Sequence, residues 1–257
     1  MSCLSTVIEK LEKFAPPENQ AEWDNSGLLF AGDGRNIRTV LVTLDLTPEV
    51  AEEAITLGAD MVVEHHPSIF SAVKTLASDE PNIVAFSRVA ANGIAVYAMH
   101  TSADFAVGGL NDYVISKFGC SEFSAIDGIP GNPRIGTLKK PTTLRLLAER
   151  TAELFKDPRV GFIGDPEKVI GKIAVVNGGG ASQESLALAK SFGADVFISG
   201  DIKYHLARWT RDSNYAMINV GHYESEAGFA NLVLEKMVQE LPDVRFIASE
   251  KCCNPYS

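Results

Sequence analysis

The stretch TVLVTLDLTPEVAEEAITLGADMVVEHHP, from Thr39 to Pro67, decides the fold. Thr39 to Leu44 is apolar and β-branched, which predicts a strand. Thr47 then offers a hydroxyl cap, Pro48 suits the first helical position and Gly58 closes the helix. Between them Val50, Ala51, Ala54 and Leu57 recur at helical spacing, and Met61 to Val63 resume a short apolar run of the kind parallel sheets bury on both faces. The pattern is strand, helix, strand, and its second strand runs directly into His65-His66.

Working outward, the second half repeats the pattern. Ile173 to Val176 predicts a strand, Asn177-Gly178-Gly179-Gly180 a turn, Ser182 to Phe192 a helix and Val196 to Ile198 the next strand. Gly58-Ala59-Asp60 aligns without gaps on Gly193-Ala194-Asp195, an offset of 135 residues (58 to 193). A repeat that long points to a duplicated domain and not to a solenoid. The fold class expected is therefore α/β, with two similar lobes from an internal duplication.

Further helices are expected at 5–14, 81–91, 111–118, 142–154 and 225–241, with a closing strand at Arg245 to Ala248. The Gly/Pro-rich segment Asp127 to Pro133 marks the domain boundary, giving a first lobe over 1–126, on which 214–257 packs, and a second over 127–213.

The five histidines carry the chemistry, because four of them follow apolar strand-like runs. His65 and His66 follow Met61 to Glu64; His100 follows Ala95 to Met99 with Asp104 four residues on; His222 follows Ala216 to Gly221 with Glu226 four residues on. The last two motifs are counterparts at a different offset, 122 (100 to 222), so this correspondence is looser. Imidazole and carboxylate are the ligands that zinc, iron and manganese accept. Adjacent side chains diverge from an extended backbone, so His65 and His66 suit two different ions. One allocation puts His66, Asp104 and Glu226 on one ion and His65, His222 and Glu226 on the other, Glu226 bridging. His100 is then a further ligand or the group that orients one. Two ions about 3.5 to 4 Å apart activate water for attack on carbon or phosphorus, which is hydrolytic chemistry.

Composition narrows the class. A formal charge of −10 argues against nucleic acid as partner. No apolar run approaches the roughly 20 residues of a membrane span, and no leader pattern precedes the first amphipathic segment, so a soluble cytoplasmic protein is expected. Cys3, Cys120, Cys252 and Cys253 are too scattered for a zinc ribbon and are expected to be reduced. Asn177 to Gly180 reads either as a tight turn or as a phosphate cradle. Past the second-half strand, His205 is a candidate general acid and Lys203 a candidate contact for an anionic substrate, although 202–209 reads equally as a helix with solvated polar members.

Taken in order, Trp23-Asp24-Asn25-Ser26-Gly27-Leu28, Leu44-Asp45-Leu46-Thr47-Pro48-Glu49, His65-His66-Pro67 with Phe70, and His100 to Asp104 with Gly108-Gly109 and Asn111-Asp112 resemble the Nif-three-like family, the GTP cyclohydrolase I type 2 homologues. Arg134-Ile135-Gly136, Gly200 to His205, Gly221-His222-Tyr223 and Ser225-Glu226 extend the likeness over nearly the whole chain. The resemblance implies a two-lobed α/β fold with a metal site in the cleft between the lobes, metal ligands at His65, His66, Asp104, His222 and Glu226, two divalent ions per subunit (Zn, Fe or Mn) and a ring-shaped homohexamer. Glu64 stands where that family often has threonine and is expected to add negative charge near the metals. The long domain that some larger relatives insert between the lobes is missing.

The function expected is a metal-dependent hydrolase acting on a nucleotide-like or phosphorylated small molecule, with Glu226 and His205 as its catalytic groups. The contrasting expectation is a noncatalytic metal-binding regulatory or interaction protein; cleavage of nucleic-acid ends is a third, disfavoured by charge.

Overall fold

The computed structural model describes residues 2–77, 79–126, 128 and 131–256. Asp127, Ile129 and Pro130 of the expected boundary lie outside the described residues. Two compact units emerge, one of Met1–Gly109 with Phe229–Ser257 and the other of Leu110–Gly228.

The first unit is built on a five-stranded sheet ordered β1-β4-β3-β2-β11, from Gly27–Phe30 (β1), Thr39–Asp45 (β2), Met61–His66 (β3), Ala95–Ala98 (β4) and Arg245–Ala248 (β11). β11, β2, β3 and β4 run parallel and β1 pairs antiparallel with β4. Thr47 caps helix α2 (Pro48–Thr56) by accepting from the Val50 amide, as its hydroxyl and Pro48 predict. Leu41, Val62 and Val96 face α2 and α3 (Pro81–Ala91), packing on Val50, Ala54 and Phe86. These strand residues are fully buried, which stabilises by roughly 1.5–3 kcal/mol for each large side chain. Helices α1 (Leu4–Phe14), α4 (Thr101–Phe105) and α10 (Phe229–Glu240) complete this unit.

The second unit carries a six-stranded sheet ordered β5-β6-β8-β9-β10-β7, from Cys120–Ala125 (β5), Arg134–Thr143 (β6), Gly161–Ile163 (β7), Val169–Val175 (β8), Val196–Ser199 (β9) and Met217–Asn219 (β10). Its helices are α5 (Leu110–Ser116), α6 (Leu144–Phe155), α7 (Gln183–Ser191), α8 (Tyr204–Asp212) and α9 (His222–Glu226). Ser182 forms a capping box with Ser185 at the start of α7. β8, β9 and β10 are parallel, and β7 pairs antiparallel with β10 just as β1 does with β4. Sheet pairing thus places 110–126 and 214–228, which the sequence reading grouped with the first lobe, in the second unit.

Strand register also corrects the gapless alignment. Val40 faces Met61 in the first unit, whereas Ile173 faces Val196 in the second. The leading strands are therefore offset by 133 residues (40 to 173), while the next strands (61 to 196) and the helix starts (48 to 183) keep 135. Two extra residues sit in the glycine-rich turn after β8. The expected helix at 225–241 also divides, into α9 and α10, at Ala227-Gly228. There a Cβ on Gly228 would stand 2.1 Å from the Tyr113 ring, so the chain passes as bare backbone.

Candidate metal centre

The first unit presents three imidazoles from the ends of neighbouring parallel strands. β3 ends in His65 and His66, and β4 leads through Met99 to His100. His65 is fully buried and on the opposite strand face from His66. Each of the three offers a ring nitrogen within 4.8 Å of the others. Asp104, in the α4 turn after His100, brings Oδ1 to 3.7 Å from His65 Nε2.

All three rings are held by Nδ1. The His65 Nδ1–H donates to the Met99 carbonyl at 2.9 Å, His66 Nδ1 to Asp45 Oδ1 at 2.8 Å and His100 Nδ1 to Asp24 Oδ1 at 2.7 Å. A carbonyl or carboxylate only accepts, so Nδ1 carries a proton in each ring, and in the neutral tautomer Nε2 is the nitrogen that can ligate a metal. Asp45 reaches His66 because the two are register partners across β2 and β3.

Asp24 is more deeply embedded. Besides His100 it accepts from the Asn25 and Thr101 amides, at 2.7 and 3.0 Å, and from the hydroxyls of Ser26 and Thr101. Burial disfavours its charge, but the bonds from His100 and Thr101 outweigh that and hold the carboxyl well below the usual range.

Glu64 departs from expectation. It is fully buried on the α2–α3 side of β3, where Oε1 accepts from the Ser68 amide and hydroxyl at 2.7 and 2.9 Å. Burial pushes its carboxyl up to about 8, so at neutral pH it is mostly uncharged and adds little negative charge to the histidines.

The second unit repeats the device on a smaller scale. His222 opens α9, and its Nδ1 donates to Asp201 Oδ2 at 2.6 Å. Its Nε2 stands 3.0 Å from Glu226 Oε2, one turn along the same helix. Glu226 is buried, and Asn177 Nδ2 donates to its Oε1 at 3.4 Å. Asn177 is fixed in turn by its amide bond to Asn111 Oδ1 at 2.9 Å. Asp157 accepts from the Gly221 amide at 2.9 Å while Arg159 bridges Asp157 and Glu224, so the residue before His222 is tied down as well.

The glycine-rich turn serves this arrangement. The Gly178 amide donates to Ser225 Oγ and the Gly180 amide to the Asn177 carbonyl, which commits two of its N–H groups inside the protein. A Cβ on Gly178 would lie 2.0 Å from Glu226 Oε1 and 3.1 Å from His222 Nε2. The turn is a tight packing element beside His222 and Glu226, not an open phosphate cradle.

Lys203 and His205 sit at the exposed start of α8, where the His205 ring stacks edge-on against Tyr204 at 5.6 Å. The Arg134 guanidinium, nearly inaccessible, pairs with Asp112, which gives two of the motif residues a structural role. All four cysteines are free thiols. Among the described residues no helix is long and apolar enough to cross a membrane.

Three imidazoles with a carboxylate, and a fourth imidazole with another, are ligand types that suit a borderline divalent cation. Sequence reading singled out these imidazoles and carboxylates as candidate ligands but missed Asp45, Asp201 and Asn177, which hydrogen-bond to His66, His222 and Glu226. The signal was present: each follows or ends a strand near a histidine-bearing one.

The family model described as Duf34/NIF3 (NGG1p interacting factor 3) matches residues 3–255. A Clostridium perfringens protein named GTP cyclohydrolase 1 type 2 homolog is 32% identical over 259 residues, covering 98% of each chain. The Schizosaccharomyces pombe Protein NIF3 homolog is 30% identical over 248 residues, covering 90% of this chain and 87% of that one. The crystal structure of a Bacillus cereus protein related to NIF3 superposes with a TM-score of 0.89 at 20% identity, covering 99% of this chain and 98% of that one, which speaks for the fold. The chain belongs to the Duf34/NIF3 family.

Proposed function

We propose that this protein is a metal-dependent hydrolase acting on a nucleotide-like or phosphorylated small molecule, with two divalent ions held by His65, His66, Asp104, His222 and Glu226. His100 is a further ligand or orients one, and the subunits assemble as a homohexamer. The observation that carries the reading is the uniform anchoring of the four imidazoles through Nδ1, to Met99, Asp45, Asp24 and Asp201. A metal-ligating histidine is almost always held in this way, its second ring nitrogen donating to a carbonyl or carboxylate. The name carried by the Clostridium perfringens relative supports the substrate class.

Two bound cations would supply Lewis acidity and a water of lowered pKa. The chain's own part is to hold and move protons. Glu226, braced by Asn177, accepts the proton shed by attacking water at Oε2, and His205 returns one to the leaving group from the exposed start of α8. Lys203, beside it, meets the anionic part of the substrate. The shared strand pattern of the two units supports an internal duplication as their origin.

Protein reconstituted with zinc, manganese or iron and screened against GTP, other nucleotides and phosphoesters is expected to turn over at least one class. Glu226→Gln is expected to reduce that turnover by about 100-fold or more, the scale of a lost general base. Inactivity throughout the panel at full metal occupancy would favour the noncatalytic reading instead.

A further inference from the structure

Two aromatic side chains lie exposed beside the histidines of the first unit, although aromatic side chains usually bury most of their area. Trp23 is 63% exposed and Phe70 48%. Their ring centroids are 6.0 Å apart with planes tilted by 50°. Both reach the same imidazole: Trp23 lies 5.9 Å from the His100 ring and Phe70 6.3 Å, each close to edge-on. His100 in turn lies 5.2 Å from His65 and 5.5 Å from His66.

The backbones that present these rings are fixed. Trp23 precedes Asp24, whose side chain is inaccessible and carries five hydrogen bonds to neighbouring groups. Phe70 follows Ile69, whose carbonyl accepts from Asn25 Nδ2 at 2.5 Å. The two segments are thus stitched together two residues from Trp23 and one from Phe70, and the rings themselves are left largely exposed.

From this juxtaposition we propose that Trp23 and Phe70 form a stacking platform for a planar heteroaromatic ring, so that the ligand of this site is of the nucleobase class. Exposed indole and phenyl faces gain by stacking on a flat ring and are indifferent to which base it is. An aliphatic or purely sugar-phosphate ligand would gain little from them. A ring placed there would lie beside the His100 imidazole that both side chains approach. The inference deepens the hydrolase reading by naming the part of the substrate that binds, and rests on that reading only for the statement that the ligand is a substrate.

The test is binding, not turnover. The chain has two tryptophans, so Trp209→Phe leaves Trp23 as the sole indole emitter. Titration of this variant with GMP or AMP is expected to quench Trp23 emission, while ribose 5-phosphate leaves it unchanged. By calorimetry on the otherwise native chain, Trp23→Ala and Phe70→Ala are each expected to weaken nucleotide binding by roughly tenfold, with Trp23→Phe restoring most of it. Equal affinity for ribose 5-phosphate and nucleotides, unchanged affinity in Trp23→Ala, or no binding of any nucleobase probe would each overturn the proposal. Quenching that persists in a protein inactive on every substrate would leave the platform standing and sink only the hydrolase reading.

Discussion

Replacing Glu64 by Gln is expected to stabilise the metal-free protein as pH rises, by up to about 5 kcal/mol above pH 9, while changing little near pH 5. The folded protein holds the Glu64 proton up to about pH 8, against 4.5 for the free side chain. Between those values the unfolded chain binds fewer protons than the folded one, so the wild type loses stability as pH rises through this window. Gln has no proton to lose. Its carbonyl oxygen can keep the two Ser68 bonds, and its amide occupies the place of Oε2, which has no hydrogen-bond partner among the described residues. Denaturant midpoints followed from pH 5 to 9 on chelator-treated protein should diverge steadily between wild type and variant. Parallel curves would mean that Glu64 is already ionised in the fold.

Gly178→Ala is the second large effect, and it separates packing from backbone strain. Gly178 has φ +52°, where a side chain costs on the order of 1–2 kcal/mol. Gly193 has φ +84° with nothing within 4 Å of an added Cβ, so Gly193→Ala carries strain without collision. At Gly178 the new Cβ would meet Glu226 Oε1 at 2.0 Å and His222 Nε2 at 3.1 Å. Glu226 is buried and must shift to make room, breaking its bond to Asn177 and its approach to His222. Calorimetric titration with zinc or manganese should show affinity about 10–100-fold lower in Gly178→Ala, the scale seen when a ligand loses its support, and unchanged in Gly193→Ala. Equal metal affinities in the two variants would show that the turn does not shape the site.

Much of this was legible in the chain itself. Thr39 to His66 read as strand, helix and strand because Thr47, Pro48 and Gly58 mark the helix ends by local chemistry alone. The bounds of α3 and β11 follow the sequence pattern for the same reason. The histidines were recognisable because strand ends are where parallel sheets gather ligands. What escaped depends on contacts far apart in sequence. β1 and β7 are edge strands of four and three residues without an alternating pattern, visible only once β4 and β10 stand beside them. The two-residue insertion after β8 leaves every local motif intact and appears only in the register between β8 and β9. Asp45 became a support for His66 through strand pairing, and Asp201 reaches His222 across a 21-residue separation. Glu64 looked like negative charge at the site because sequence gives its identity but not its burial.

The proposed function requires imidazoles and carboxylates from both halves of the chain to hold the same pair of divalent ions. Metal content per chain, measured by plasma mass spectrometry on extensively dialysed protein, tests it directly when wild type is compared with His66→Ala and His222→Ala. The account predicts two ions per chain in the wild type and a loss of at least one in each variant, with the fold retained by circular dichroism. Metal content unchanged by both substitutions would contradict it.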